Sequence, residues 1–461
     1  MVFSSLLFLF RFLPAAFLAY YLTPKKCKNL TLLIVSLIFY SWGEVRYFPI
    51  MLSIILVNYL AGLGIGRWRG HRKLCRGILA VSVVFSVGFL AFFKYSNFLL
   101  MNLNVLFGTS FPMLEVTKNL PLGISFYTFQ IMTYTIDVYF HKIEVERNII
   151  DFGTFVVLFP QLIAGPIVKY SDINRELKDR QITLDAIQDG IALFIFGLGS
   201  KVLLANNIGA LWTEVESAGF TNLSTAGAWL ALSAYALQIY FDFSGYSLMA
   251  IGMGRALGFH FPQNFNYPYV SRSLTEFWRR WHMTLGGWFR EYLYFPLGGN
   301  RVSRWKQYRN LFLIWFATGL WHGAAWNFVL WGLYFFVMLS FERLFLQRFL
   351  DRYRLFSHLY VLIGLQISWV LFAITDMKKT GTFFSLLFLP HSGNDWMYYL
   401  RNYGIIMAVG VVFSLPVLNL LRDRLPKLCK WLAVPFLGLI LLLSVAYLVD
   451  STYNPFLYFR F

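Results

Sequence analysis

The stretch TGLWHGAAWNFVLWG, residues 318–332, lies inside an apolar run that extends over residues 310–339. Thirty helical residues would extend about 45 Å, well beyond the roughly 30 Å hydrocarbon core of a bilayer. Both flanks of the run are basic, and basic loops of membrane proteins remain on the cytoplasmic side. We therefore expect two half-helices that enter the membrane and return, broken near Gly319 and Gly323, with His322 at the turn.

The composition is that of a membrane protein. Of 461 residues, 58% are hydrophobic and 13% are charged, whereas soluble domains carry about 25% charged residues. The net charge of +18 comes from short loops between apolar runs, which argues for a membrane topology and against nucleic-acid binding. The sequence predicts one all-α polytopic membrane domain over residues 1–461, with about ten to eleven transmembrane helices plus re-entrant, broken helices.

Charged loops also predict an orientation. The loops at residues 25–28 and 67–76 are strongly basic and should be cytoplasmic, whereas the acidic loop around Glu214 should lie outside. This pattern puts both termini outside. Residues 152–168 have flanks on the same side and are interrupted by Pro and Gly, so we expect a second re-entrant element there. The three cysteines are far apart in predicted cytoplasmic loops, so we expect neither a disulfide nor a metal site.

His322 is the first candidate for chemistry, because an ionisable side chain at membrane depth is by default a functional-site hypothesis. An imidazole has an unperturbed pKa of about 6.5, so its neutral form can serve as a general base toward a hydroxyl group. The structural alternative is a neutral imidazole that bonds a backbone carbonyl freed by the neighbouring glycines. Trp321, Asn327 or the helix terminus at Gly323 can supply donors to an oxyanion.

A second histidine, His282, lies in TEFWRRWHMTLGGWFREYLYFPLGGNR, residues 275–301. This stretch reads as an interfacial helix, broken at Gly286-Gly287 and Gly298-Gly299. Its basic and aromatic side chains also suit a cytoplasmic mouth for an anionic, phosphate-bearing donor such as coenzyme A. The donor-binding candidates in this stretch are Arg279, Arg280, Trp281, Asn300 and Arg301.

Asp242, in the segment YFDFSGYS, is a further candidate for donor binding, with a structural role as the favoured interpretation. A carboxylate within a predicted span needs a partner, and we expect an arginine of the 272–301 segment to supply it. Gln130 lies in the segment LPLGISFYTFQ, where polar side chains more often hold helices together than contact substrate, and we interpret it as structural.

The chain resembles the membrane-bound O-acyltransferase family, and within it the bacterial branch that O-acetylates alginate. The resemblance rests on motifs in family order: LPLGISFYTFQ, FPQLIAGPI, YFDFSGYS, NFNYPY, TEFWRRWHMTLGGWFREYLYFPLGGNR, GLWHGAAWNFVLWG and the terminal NPFLYFRF. One departure is Leu248, where the alginate branch usually has an aspartate; the branch that transfers D-alanine tolerates an apolar residue there.

The resemblance implies a ring of helices around a thin centre, where a cytoplasmic tunnel meets an outward-facing funnel. It implies that His322 is the essential catalytic histidine and His282 its companion. The donor would be acetyl-CoA, with no permanently bound cofactor. The acetyl group would pass across the bacterial inner membrane to a polysaccharide such as alginate, directly or through a periplasmic partner protein.

Two alternatives remain open. The same fold can transfer D-alanine from a carrier protein to teichoic acid, and this activity would need a cytoplasmic docking surface for the carrier. A transporter of a polysaccharide or of a lipid-linked precursor would use His322 in a proton relay. Such transporters show paired broken helices in corresponding halves, and the segments 152–168 and 310–339 share no such pattern.

Overall fold

Helices form all the regular secondary structure that the structure, a computed structural model, describes for residues 2–117, 120–163 and 165–450. The terminal motif NPFLYFRF lies outside these ranges. The α-helices in chain order are α1 Leu13–Leu22, α2 Lys28–Glu44, α3 Phe48–Arg67, α4 Arg72–Phe107, α5 Ile124–Tyr139, α6 Ile149–Val157, α7 Phe159–Leu162, α8 Tyr170–Lys178, α9 Leu184–Gly199, α10 Asn206–Ala218, α11 Thr225–Ala256, α12 Leu274–Arg280, α13 Met283–Phe289, α14 Arg304–His322, α15 Trp326–Phe341, α16 Gln347–Arg352, α17 Arg354–Ala373, α18 Met377–Phe388, α19 Asp395–Ser414, α20 Val417–Arg424 and α21 Pro426–Asp450.

The predicted class, an all-α polytopic membrane protein, is confirmed. Among the described residues, six helical stretches are long and apolar enough to cross a membrane, or seven if the pair α19 and α20, bent by 61°, counts as one span. This number is lower than the ten to eleven predicted. One of the six stretches, Lys25–Arg67, is 43 residues long and contains both α2 and α3. Several other helices are shorter or more polar than a simple span.

Two compact units make up the chain. The first comprises Met1–Phe194 and Met249–Pro262, and the second comprises Ile195–Leu248 and Gln263–Phe461. Within each unit, α9 and α11 approach each other closely at glycines. In the first unit, a Cβ on Gly190 would lie 2.5 Å from the carbonyl oxygen of Gly252. Small residues allow this backbone approach between membrane helices.

Residues 152–168 form the predicted broken element. Helix α6 is nine residues long and α7 only four, with Leu158 in a non-helical conformation between them, and each described residue of 152–168 is buried. The amides of Gln130 and Gln161 both donate to the carbonyl of Phe155, at 2.9 and 2.6 Å. These bonds satisfy a backbone group at the end of a short helix, so the interpretation of Gln130 as structural agrees with its contacts.

The run at residues 310–339 forms the predicted helical hairpin of α14 and α15, but the expected break near Gly319 is wrong. Gly319 is helical, whereas the expected break at Gly323 is confirmed, since the chain turns at Gly323–Ala325. A Cβ on Gly319 would overlap the carbonyl oxygen of Phe328, and one on Gly332 would overlap that of Trp315. Gly319 therefore serves close packing between the two helices, and His322 ends α14 at the turn.

The stretch 275–301 is also broken differently from the prediction. Gly286 and Gly287 lie inside α13, and the break falls at Trp281–His282, where His282 takes a left-handed backbone conformation (φ 43°). The expected break at Gly298-Gly299 is confirmed, since both residues have positive φ. The carboxylate of Glu342, itself fully buried, accepts bonds from the backbone N–H groups of Leu274 and Thr275 at the start of α12.

Candidate active site

His322 is enclosed by aromatic rings at the end of α14. Its side chain is 7% exposed, and its ring centroid lies 5.1 Å from that of Trp321, 4.9 Å from Trp331 and 5.2 Å from Phe372. These rings come from α14, α15 and α17. The hairpin turn thus places the imidazole between aromatic rings and away from bulk water.

His282 belongs to the same cluster. Its side chain is 2% exposed, and its ring centroid lies 4.7 Å from that of Phe243 and 5.9 Å from that of Trp321. Trp321 therefore contacts both imidazoles. The structure brings together the two predicted catalytic histidines and one of the predicted donor-site residues.

Burial determines the charge state of His282. It lowers the pKa of this imidazole to about 3, because the charged form loses its hydration. The ring is therefore neutral at physiological pH. Its Nδ1 lies 3.0 Å from Oδ1 of Asn264, a buried residue of the segment NFNYPY.

The prediction that an arginine of the 272–301 segment pairs with Asp242 is wrong. Asp242 forms an ion pair with Lys201, and both side chains are almost fully buried, at 3% and 2% exposure. Lys201 also donates to Oδ1 of Asn206 at 2.9 Å. The ion pair lies next to the histidine cluster, because Phe243, the residue after Asp242, packs edge-on against His282.

Trp281 and Asn327 take part in packing around the cluster. Trp281 is 4% exposed, and its ring lies 5.3 Å from that of Trp369 on α17. Asn327 is fully buried and donates from Nδ2 to the carbonyl of Leu371 at 3.0 Å. This bond occupies one of the two amide hydrogens that were considered for the oxyanion.

The four polar donor-site candidates on the 275–301 segment have contacts away from the histidines. Arg280 pairs with Glu276 at 2.9 Å, and the exposed Asn300 accepts a bond from Tyr294 at 2.5 Å. Arg279 and Arg301 are exposed. Among the described residues, no direct contact joins these four side chains to His282 or His322.

The family model described as MBOAT, the membrane-bound O-acyltransferase family, matches residues 78–385, which include both histidines. The chain belongs to the membrane-bound O-acyltransferase family. The protein is therefore an O-acyltransferase with several membrane-spanning helices.

Three relatives of this acyltransferase are informative. It is 38% identical to a probable alginate O-acetylase AlgI of Pseudomonas putida, over 100% of both chains. It is 37% identical to a peptidoglycan O-acetyltransferase of Helicobacter pylori, over 74% of this chain and 70% of the relative. Its identity to a teichoic acid D-alanyltransferase of Bacillus subtilis is 28%, over 48% of this chain and 58% of the relative.

Two residues next to the histidine cluster were missed by the sequence analysis. Asn264 lies within the segment NFNYPY, which was quoted as a motif of the family. No local sequence pattern predicted that it contacts His282. Lys201 carried a stronger signal, because it is the sole Lys or Arg between Arg180 and Arg255. A lone cation in such a long apolar stretch indicates a buried carboxylate partner.

Proposed function

We propose that the protein takes an acetyl group from a cytoplasmic thioester donor, acetyl-CoA, and passes it to a hydroxyl group of an extracytoplasmic polysaccharide such as alginate. The transfer is either direct or through a periplasmic partner protein. The observation that carries the proposal is the pair of buried imidazoles, His282 and His322, bridged by Trp321. The full-length similarity to a protein named as an alginate O-acetylase supports acetate as the acyl group.

In the proposed reaction, His322 acts as general base. It removes the proton of the acceptor hydroxyl while the hydroxyl oxygen attacks the thioester carbon. The tetrahedral intermediate then collapses, the carbon–sulfur bond breaks, and the proton passes to the departing thiolate. Trp321 and Asn327 are the candidate donors to the oxyanion, and His282 contributes to holding the thioester in place.

We further propose a bacterial inner-membrane location with both termini outside. The exposed Arg279 and Arg301 would then lie at the cytoplasmic mouth. There they attract the phosphates of the donor, and their contribution to binding should weaken as salt concentration rises.

The decisive experiment uses purified protein in nanodiscs with radiolabelled acetyl-CoA and a soluble acceptor oligosaccharide. We expect His322→Ala to release coenzyme A about 10³-fold more slowly than wild type while it still binds the donor, because only the proton-transfer step is lost. The exposed His71→Ala is the matched control and should behave as wild type.

Two results would count against this assignment. Loss of donor affinity in His322→Ala equal to the loss in rate would make His322 a binding residue. A wild-type protein that neither binds nor cleaves acetyl-CoA would remove the acetyl donor. D-alanyl transfer from a carrier protein, which the similarity to a D-alanyltransferase supports, would then be tested with the loaded carrier, and transport with labelled polysaccharide precursor.

A further inference from the structure

The side chain of Asn264 makes a dense set of hydrogen bonds beside His282. Its Oδ1 accepts from the backbone N–H of Thr284 at 3.3 Å and from the Thr284 hydroxyl at 2.9 Å, and it faces Nδ1 of His282 at 3.0 Å. Its Nδ2 donates to the hydroxyl of Ser247 at 3.0 Å. Asn264 is 1% exposed, so these bonds form away from bulk water.

The partners determine which way the amide points. A backbone N–H can only donate, so the atom that faces the N–H of Thr284 must be the amide oxygen. The same oxygen faces Nδ1 of His282, and an oxygen without a hydrogen can only accept. Nδ1 must therefore carry the hydrogen of this bond.

A neutral imidazole carries one hydrogen, on one of its two nitrogens. When Nδ1 holds it, Nε2 has a lone pair and acts as an acceptor. Burial keeps His282 neutral at physiological pH, because its pKa is lowered to about 3. This state of the ring is suited to receive a hydrogen bond at Nε2 and is unsuited to donate one there.

We propose that Asn264 is a positioning residue that holds His282 in the Nδ1–H tautomer, so that Nε2 accepts a hydrogen bond from an N–H or O–H group of a bound substrate. The inference rests on the proposed acyl transfer and deepens it. It assigns His282 to orientation of the substrate, because a neutral ring that accepts at Nε2 has no proton there to give to the leaving sulfur. The matching substrate groups are the amide N–H groups of the donor's pantetheine arm and a hydroxyl group of the acceptor other than the one that His322 deprotonates.

The backbone at His282 supports the same role. A residue with a side chain pays about 1–2 kcal/mol for a left-handed conformation, and such costs persist only where the surroundings enforce them. Asn264 contributes to this enforcement, because its own carbonyl accepts the N–H of Met283 at 2.9 Å while its side chain holds Thr284. One residue therefore controls the tautomer, the ring position and the turn.

Activity measurements on two variants test the proposal. Asn264→Leu keeps the size of the side chain but removes the acceptor, and we expect kcat/KM for acyl transfer to fall about 100-fold, as is typical when the partner of a functional histidine is lost. Asn264→Asp keeps an acceptor for Nδ1–H and Thr284, and Ser247 can rotate to donate, so activity should return to within about 10-fold of wild type. Asn266→Leu, an exposed neighbour in the same motif, is the matched control.

Thermal unfolding of each variant shows whether the protein is folded. A folded Asn264→Leu protein within threefold of wild-type activity would overturn the proposal, and so would an Asn264→Asp protein no more active than Asn264→Leu. The second result would mean that shape, rather than the acceptor, is what His282 needs.

The tautomer of His282 can also be measured directly, in protein without an acyl donor. Protein with nitrogen-15 histidine, compared with a His282→Gln sample to assign the signal, reports by NMR which ring nitrogen carries hydrogen. We expect hydrogen on Nδ1 in wild type and a mixture of tautomers in Asn264→Leu. Hydrogen on Nε2 in wild type would contradict the inference even if acetyl transfer were established. If acetyl transfer failed, the tautomer would still be tested.

Discussion

Lys201 and Asp242 bury opposite charges in an apolar environment. Each charge alone would be costly there, because the loss of hydration amounts to several kcal/mol even after the protein relaxes. The pair is kept next to Phe243, whose ring packs against His282. A buried pair of this kind contributes little net stability, but removal of one partner leaves an uncompensated charge.

We therefore predict asymmetric effects of substitution at this pair. Lys201→Met should lower the free energy of unfolding by about 3–5 kcal/mol, because Asp242 is left charged and buried. The double variant Lys201→Met/Asp242→Leu should recover most of that loss. Thermal unfolding in detergent measures both variants. Equal melting temperatures for the single and double variants would contradict the explanation.

The sequence identified those residues of the candidate site whose own position or motif is unusual. It did not identify those that reach the site through tertiary contacts. His322, His282 and Trp321 were identified because membrane depth and local motifs made them unusual, and the structure brings them together. The partners of Asp242 and His282 were not identified, because Lys201 and Asn264 are distant in sequence and meet them only through tertiary packing. Periodicity carries no signal for such contacts, although the isolation of Lys201 from all other basic residues indicated that it has a buried carboxylate partner.

The hairpin of α14 and α15 depends on backbone contact between two helices. Gly319 and Gly332 face each other, and a Cβ on either would lie 3.3 Å from the Cα of the other. Because neither backbone has room to shift sideways, the turn that carries His322 is held in a fixed place. Precision of this kind matters in catalysis, since misplacement of a reacting group by about 1 Å costs about 100-fold in rate.

Gly319→Ala is predicted to disturb the hairpin. Its methyl group would overlap the carbonyl oxygen of Phe328, so the free energy of unfolding should fall by about 1–3 kcal/mol and acyl transfer should slow by more than tenfold. Gly88→Ala is the matched control: Gly88 lies in α4 with open space around it, so alanine there should be neutral or stabilising by up to about 1 kcal/mol. Thermal unfolding measures the stability of both variants, and coenzyme A release measures their activity. If the two variants have the same stability and activity, the close packing of α14 on α15 is contradicted.

Helix breaks were predicted well where length or proline forced them. The 30-residue run had to turn, and Pro160 marked the break between α6 and α7. Gly286-Gly287 misled the prediction because glycine costs only about 1 kcal/mol inside a helix, which packing readily offsets. The break at Trp281–His282 has no local signal, because it follows from the tertiary bonds of Asn264.

The outer surface of the protein is suited to lipid rather than to water. In the apolar part of α21 only 11% of the residues are buried within the protein, compared with 56% for the stretch Leu184–Ala218. Side chains such as Ile405 and Trp431 are 83% exposed. Apolar surface on this scale is stable only when a bilayer covers it.

The orientation predicted from the charged loops can be tested with the native thiols. Cys27 is exposed, and its basic loop is expected in the cytoplasm, so a membrane-impermeant maleimide should label it only after the membrane is permeabilised. Cys75 is buried and should stay unlabelled in both conditions. A Ser217→Cys variant of a cysteine-free chain should react in intact cells, because Ser217 is exposed near the end of α10, in the acidic segment predicted outside. Labelling of Cys27 in intact cells would reverse the proposed orientation.

Lys201 lies in a π-helical turn, Ser200–Ala205, where the N–H of Asn206 bonds to the carbonyl of Lys201, five residues back. Such a turn holds one residue more than the α-helical winding on either side of it. The extra residue is accommodated within one turn, so a deletion here would restore ordinary α-helical winding and leave the helix on either side facing as before. Because the ion pair needs a cation at one position, loss of Lys201 itself would leave Asp242 without that cation. Along this stretch, the number of residues can change more freely than the residue type at position 201.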